Sequence, residues 1–289
     1  MKNNSSDFSM LKIQNIPIFF TLGIFIIVPS HRNSKILKVP ADFKTIQAAM
    51  DRAEAGDIVS ARGGTYIGRI ILKAGVSLLG SGPEFTRIQG DGRGDVVIAA
   101  DKAVVSGFTI EASGPLYSAI RCDSTSPLIK SNIITHNGAG IFMSDSNAII
   151  EHNLIVENDD ESDFGTFAIF CRRGNPVIRN NTIANNYARF AILCDHSFPE
   201  VVRNIIAFNL GGIGCENDSG PVLIQNNLWA NTVKGNYQGC QPGRDSLSKD
   251  PLFIDIKSGD YRLSPESPCI TDEKAIGTRG YKIVTKKRR

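Results

Sequence analysis

Apolar and polar positions alternate along this chain over short stretches, and the alternation breaks every few residues at Asn, Gly or Pro. A period of two predicts strands, because successive side chains on an extended backbone point to opposite faces. From residue 119 onward the pattern repeats. Five segments align: "SNIITHN" (131–137), "HNLIVEN" (152–158), "NNTIANN" (180–186), "RNIIAFN" (203–209) and "NNLWAN" (226–231). Their first Asn falls at Asn132, Asn153, Asn181, Asn204 and Asn227, at intervals of 21, 28, 23 and 23 residues. Their second Asn falls at Asn137, Asn158, Asn186, Asn209 and Asn231. A block "AIRC", "GIFM", "AIFC", "AILC", "GIGC" places Cys122, Met143, Cys171, Cys194 and Cys215 in one column, and "PLIK", "AIIE", "PVIR", "EVVR", "PVLI" completes each period.

A repeat of about 23 residues is too short for a helix, a strand and their loops, but it accommodates three short strands. Such units bury their apolar faces only by stacking on neighbours. Strands stacked in parallel and in register make a β-solenoid, with coils about 4.8 Å apart. Asn at a recurring bend then has two uses: it tolerates unusual backbone angles, and its amide can bond the Asn of the next coil in a ladder. "DFKTIQAAMDRAEAG" places Ile46, Ala49, Met50 and Ala53 at helical spacing with Gly56 as the stop, and predicts a helix that caps the first coil. Six further segments, from "DIVSA" to "AVVSGFTIEA", read as strands broken by glycine, with Phe108 where the first ladder Asn would stand. The whole predicts an all-β fold of roughly eight coils, on the order of 40 Å along the stack.

Ile16 to Val28, an uncharged apolar run preceded by Lys2 and Lys12, reads as the core of a secretory signal over residues 1–30, or as an N-terminal anchor. It is short of the ~20 residues a membrane span needs. Hence the expectation is a secreted, periplasmic or cell-surface protein, with no membrane span in the mature chain and one domain over 31–281. The chain's net charge is +3, yet the tail "KIVTKKRR" (282–289) holds five positive charges and the first thirty residues a net one, which leaves −3 on the body. That distribution excludes a nucleic-acid footprint on the domain.

The stretch from Thr45 to Gly90 resembles the opening of the pectin-lyase-like right-handed parallel β-helix superfamily, and is similar to the first coils of pectin methylesterases. The Asn-rich coils resemble the parallel β-helix repeats of secreted proteins, and "DPLFIDIKSGDYRLSPESPCI" (250–270) with "AIGTRGY" (275–281) resembles their closing segment. The resemblance covers most of 36–281 and implies a right-handed parallel β-helix. It does not imply one activity, since the superfamily includes lyases, hydrolases, esterases, epimerases and non-catalytic proteins. The catalytic patterns depart from those relatives. Gly68-Arg69 stands where the methylesterases carry Glu, and the signatures of polygalacturonases, pectate lyases and alginate epimerases are absent.

Strand parity puts Ile120, Ile141, Ile169, Ile192 and Ile213 inside and Arg121, Phe142, Phe170, Leu193 and Gly214 outside. Stacked outward Phe rings suit sugar rings; alternatively "ENDDESDFGTF" (157–167) covers them. The next two columns are Asp123, Ser144, Arg172, Asp195, Glu216 and Ser124, Asp145, Arg173, His196, Asn217. Arg172, Arg173, Asp195, His196 and Glu216 are the candidate catalytic residues, with Arg121, Phe142, Asp145 and Phe170 as candidate substrate contacts. An Arg would neutralise a uronate carboxylate while His196 or Arg moves the α proton; alternatively Asp195 and Glu216 are the acid and base of a hydrolase. A plain alternative is weak charge pairing between solvated turns. The partner expected is a polysaccharide or cell-surface glycan, with a non-catalytic scaffold or adhesion protein as the second reading. A monomer is expected. No spacing argues for zinc, and Glu157 to Asp163, with five carboxylates in seven residues, is a weak Ca²⁺ candidate. Cys240 and Cys269 stand outside the inward column and are the disulfide candidates, and Asn180-Asn181-Thr182 forms a glycosylation acceptor pattern.

Overall fold

The recurring left-handed residues are the key to the backbone. Ser131, His152, Asn180, Arg203 and Gln225 all have φ between 52° and 56°, and each directly precedes a buried Asn. One residue in the left-handed region turns a strand sharply without lengthening the chain, so three such corners close a coil. In the computed structural model, which describes residues 33–158, 167–270, 276–278, 281 and 283, these corners repeat coil after coil. Ser34–Arg289 form one compact unit; Met1–Asn33 form another, of which only Asn33 is described.

The strands assemble into three parallel sheets. The first has nine strands, from Ile36–Val39 to Val222–Ile224; the second has eight, from Gly64–Ile67 to Asn227–Trp229; the third has eight, from Ile70–Ile71 to Gly235–Gln238. Each coil passes through them in that order, and register is kept, as in Ile133↔Leu154↔Thr182↔Ile205 of the second sheet. The product is a right-handed parallel β-helix of about eight coils. Inside it, Ile120, Ile141, Ile169, Ile192 and Ile213 are all buried.

Two asparagine ladders line the corners. In the first, Asn132, Asn153, Asn181 and Asn204 each donate their backbone N–H and Nδ2 to the Oδ1 of the next rung, at 2.9 to 3.2 Å. Each Nδ2 also reaches a carbonyl of the preceding coil, as Asn181 does to Ile150 at 2.9 Å. The second ladder runs Asn137, Asn158, Asn186, Asn209, Asn231 in the same way. Two expectations change. The last rung of the first ladder is Asn226, not Asn227, which instead opens a strand and donates to Lys249 O. And the ladder asparagines do not take the unusual backbone angles: their predecessors do, so the amide selects Asn. Phe108 holds the terminal position, its N–H donating to Asn132 Oδ1 at 3.1 Å.

The helix forms at Ile46–Arg52, with Thr45 Oγ1 accepting from the Ala48 N–H at 3.1 Å and Ile46, Ala49 and Met50 buried. It ends before Gly56, and it lies against strands of the first coil. At the other end, the antiparallel pair Phe253–Asp255 and Asp260–Leu263 packs on the outside of the second sheet, where Tyr261, Ile133, Leu154, Val156 and Ala184 form a cluster. The Tyr261 hydroxyl donates to Glu157 at 2.9 Å.

The cysteine expectation is overturned. All six are free thiols; Cys240 packs against the solenoid interior while Cys269 is buried in a separate cluster beside Ile205 and Ala207, outside the second sheet. A wall of the coil separates them. A hydrogen bond to Cys194, then burial, pushes the Cys215 thiol up to about 12, as suits a packing residue. In the acceptor pattern, Asn180 is a half-buried left-handed corner and Thr182 is fully buried.

Candidate functional site

Register builds the candidate site on the third sheet. Arg121↔Phe142↔Phe170↔Leu193↔Gly214 are in-register neighbours on its outer face. The Arg121 guanidinium sits 4.6 Å from the centroid of Phe142, and the Phe142 and Phe170 rings are 5.4 Å apart. Leu193, by contrast, is buried. The sequence reading missed two aromatics here. Phe167 stacks on Phe170 at 4.7 Å, and the Phe190 ring fills the space above Gly214, where an added Cβ would lie 2.9 Å from it. Both stand three residues before the outward column, so strict alternation assigns them inward; but Ala168 and Ile169, like Ala191 and Ile192, are buried in succession, and this break in the alternation turns the rings outward. Of the stretch 157–167 expected to cover the rings, residues 159–166 lie outside the described residues, as does most of the acidic Ca²⁺ candidate.

Where these strands end, the chain turns through a third left-handed column: Ser124, Asp145, Arg173, His196 and Asn217, with φ between 48° and 52°. This corner throws successive side chains together across coils. Asp195 is the centre of the best-connected group. It accepts from Asn217 Nδ2 at 2.8 Å, its Oδ1 lies 2.8 Å from His196 Nδ1, and Arg172 Nε stands 3.8 Å from Oδ2. The Asn217 hydrogen bond, then that of His196 and the charge of Arg172, hold the Asp195 carboxyl below the usual carboxylate range. His196 and Arg172 are both exposed.

The other candidates are drawn elsewhere. Arg173 forms a two-pronged pair with Asp145, both contacts at 2.8 Å, and with Ser144 this lowers the Asp145 pKa to about 2. Glu216, the register neighbour of Asp195, pairs with Arg189 at 2.9 Å. Arg189, a second residue the sequence reading missed, also lies 5.3 Å from the Phe190 centroid. So Arg172, Asp195 and His196 form one group, while Arg173 and Glu216 are occupied by partners of their own. Of the acid–base pair expected of Asp195 and Glu216, Asp195 is shifted away from the acid's role and toward the base's, and Glu216 is held by Arg189. A general acid must hold its proton near neutral pH, and the Asp195 carboxyl is shifted the other way. Among the described residues no group of three or more His, Cys, Asp or Glu could hold a metal ion, and no helix is long and apolar enough to cross a membrane.

Comparison with solved structures gives likenesses of fold. The catalytic domain of a GH87 α-1,3-glucanase solved with tetrasaccharides has 13% identity over 71% of this chain, with a TM-score of 0.48; the chain spans 41% of that domain's length. Pectate lyase Pel9A has 12% identity over 82% of this chain and 91% of its own, with a TM-score of 0.47. The A-module of mannuronan C-5 epimerase AlgE4 from Azotobacter vinelandii has 15% identity over 65% of this chain and 74% of its own, with a TM-score of 0.40. No curated protein sequence matches. A family model described as "Right handed beta helix region" matches residues 91–245, more than half the chain, and these are the coils that carry both ladders and the outward aromatic column. The chain therefore belongs to the right-handed beta helix region family.

Proposed function

We propose that the outer face of the third sheet binds a polysaccharide bearing uronate groups, at a secreted, periplasmic or cell-surface location. The observation that carries this reading is the stack of Arg121, Phe142, Phe170 and Phe167 beside the exposed Arg172 and His196. Aromatic faces suit the apolar faces of sugar rings, and a loosely paired guanidinium suits a carboxylate. In this reading Arg121, Phe142, Phe170 and Asp145 contact the chain.

Processing by elimination or epimerisation uses the Arg172, Asp195 and His196 group. Arg172 neutralises the uronate carboxylate, which makes the neighbouring C–H more acidic. With its proton on Nδ1, bonded to Asp195, His196 presents Nε2 as the base for that proton; the electron pair left on C5 forms the C4–C5 double bond as the C4–O glycosidic bond breaks in elimination, or takes a proton on the opposite face in epimerisation. Arg173 and Glu216 then serve as flanking charges. A second reading, a non-catalytic scaffold, draws support from the Arg173–Asp145 and Arg189–Glu216 pairs, which tie neighbouring coils together.

Calorimetric titration with polygalacturonate, alginate and a neutral glucan tests these readings. The expectation is binding of the acidic chains, weakened about tenfold or more in Phe170→Ala and Arg172→Ala, with about 1.4 kcal/mol per tenfold change. His196→Ala leaves binding near that of the wild type but removes any release of unsaturated product. Absence of binding by the wild-type protein overturns the glycan reading and leaves the scaffold.

A further inference from the structure

The outer faces of the three sheets are used differently. The second is covered by the C-terminal segment from Ile133 to Trp229, and the third carries the candidate site. The first exposes a column that runs in register from Ile36 to Val222, one residue per strand. Seven of its nine positions are aliphatic, and all of them are half-buried or exposed; Ile36, Ile149 and Val222 are 57%, 38% and 54% exposed. An aliphatic stripe of nine strands is about 38 Å long. Surfaces of this kind mark interaction sites more often than bare solvent faces.

The positions of its polar interruptions identify the occupant. Numbered along the stack, the column is polar only at Ser77, on the third strand, and Glu200, on the eighth. A two-fold axis parallel to the strands and between Leu128–Lys130 and Ile149–Glu151, the fifth and sixth strands, lays the sheet face to face on its own copy. Strand direction is kept and stacking order reversed. Leu128 then faces Ile149 of the other copy, Val104 faces Val177, Ile58 faces Val222, and the two polar residues, Ser77 and Glu200, face each other. In the parallel column two residues on, Lys130 faces Glu151, which Arg179 of its own chain already holds at 2.6 Å, so the contact adds a second cation to that carboxylate, twice by symmetry. Moving the axis by half a rung sets Lys130 against Lys130 or Glu151 against Glu151, and places Glu200 opposite Ile58 or Val104. One register alone satisfies both columns.

We propose that this chain forms a two-fold dimer through the first sheet, with the two β-helices antiparallel. A footprint of eight strands by three residues, with Ile36–Val39 beyond the overlap, is roughly 400 Å² per copy, which with side-chain relief removes about 1,000 Å² in total from water, the lower limit for a specific interface. The dimer is accordingly of modest affinity, and the single charge pair sets register more than strength. Inverse pairing of this sort is what an isologous contact requires.

Sedimentation equilibrium of the full chain tests it. The wild-type protein is expected to pass from monomer to dimer mass as concentration rises through the micromolar range. Ile149→Glu, Lys130→Glu and Glu151→Lys are each expected to stay monomeric, with circular dichroism unchanged because these positions face outward. Mixing the last two variants is the decisive arm. In the proposed register the two carboxylates of one chain, one new and one native, meet the two lysines of the other, so the mixture should associate about tenfold or more tightly than either variant alone. A wild-type chain that remains monomeric, or variants whose mixture associates no better than its parts, overturns the proposal.

Discussion

Asn181 and its neighbour Asn180 show how much one residue type can differ in role within two positions. Asn180 is a corner: its φ of 55° is the feature that matters, and its side chain is half-buried. Asn181 is a rung. Its Oδ1 accepts from both nitrogens of Asn153, and its Nδ2 donates to Ile150 O, Arg179 O and Asn204 Oδ1, all at 2.9 to 3.0 Å. Asn181→Ala leaves several buried groups unpaired and should cost about 3 kcal/mol or more. Asn180→Ala should cost about 1 kcal/mol or less, since both residues carry a Cβ and only the local polar support that lets Asn adopt the left-handed region is lost. Urea unfolding midpoints of the two variants give the comparison. Asp145 offers a second check at this scale. Its folded pKa of about 2 lies below the ordinary 3.8, so whatever the Arg173 pair contributes is complete above about pH 4 and is lost as pH falls toward 2. A carboxyl NMR titration should find that midpoint, and Arg173→Gln should return it to the ordinary range.

At the scale of elements, each strand is too short to persist alone, and pairing to the coils on either side makes it a strand. The C-terminal segment follows a different rule: it crosses the coils and covers an aliphatic face the repeat leaves open. Gly277 is where that crossing is tightest. Its N–H donates to Arg203 O at 2.7 Å, its φ is 76°, and an added Cβ would lie 2.6 Å from Ile205 and 2.9 Å from the Thr182 hydroxyl. Gly235 has the same φ with nothing within 4 Å of that Cβ. Gly235→Ala is therefore expected to cost about 1 kcal/mol and Gly277→Ala about 2 kcal/mol more, the excess being overpacking. Limited proteolysis should find the C-terminal segment of the Gly277→Ala protein cut first. "DPLFIDIKSGDYRLSPESPCI" marks this segment in the sequence, but only packing shows that it lies across the second sheet.

In the whole molecule, coils contact only their neighbours, so charge and apolarity accumulate as columns. One column holds the rings and cations of the candidate site; another, on the first sheet, holds the aliphatic stripe. Columns were legible from alignment alone. The arrangement "AIRC" to "GIGC" placed Arg121, Phe142 and Phe170 on one outer face, and Arg172, Asp195 and His196 beside it, as the structure has them. What alignment lacked was the choice of partner within reach. Arg173 turns back to Asp145, and Glu216 turns to Arg189 rather than toward Asp195, because long side chains settle on the nearest opposite charge at the corner.

The sequence by itself determined the period, the three strands per coil, the inward and outward columns and the positions of nearly every ladder Asn. These are fixed by local alternation and by repetition, and both are written into neighbouring residues. Only the tertiary structure decided that Asn226 replaces Asn227 as a rung, that Phe167 and Phe190 face outward, and that Cys240 and Cys269 lie on opposite sides of a sheet. Each of those depends on where a strand begins or on what packs across coils, and such contacts join residues whose separation along the chain carries no periodic signal.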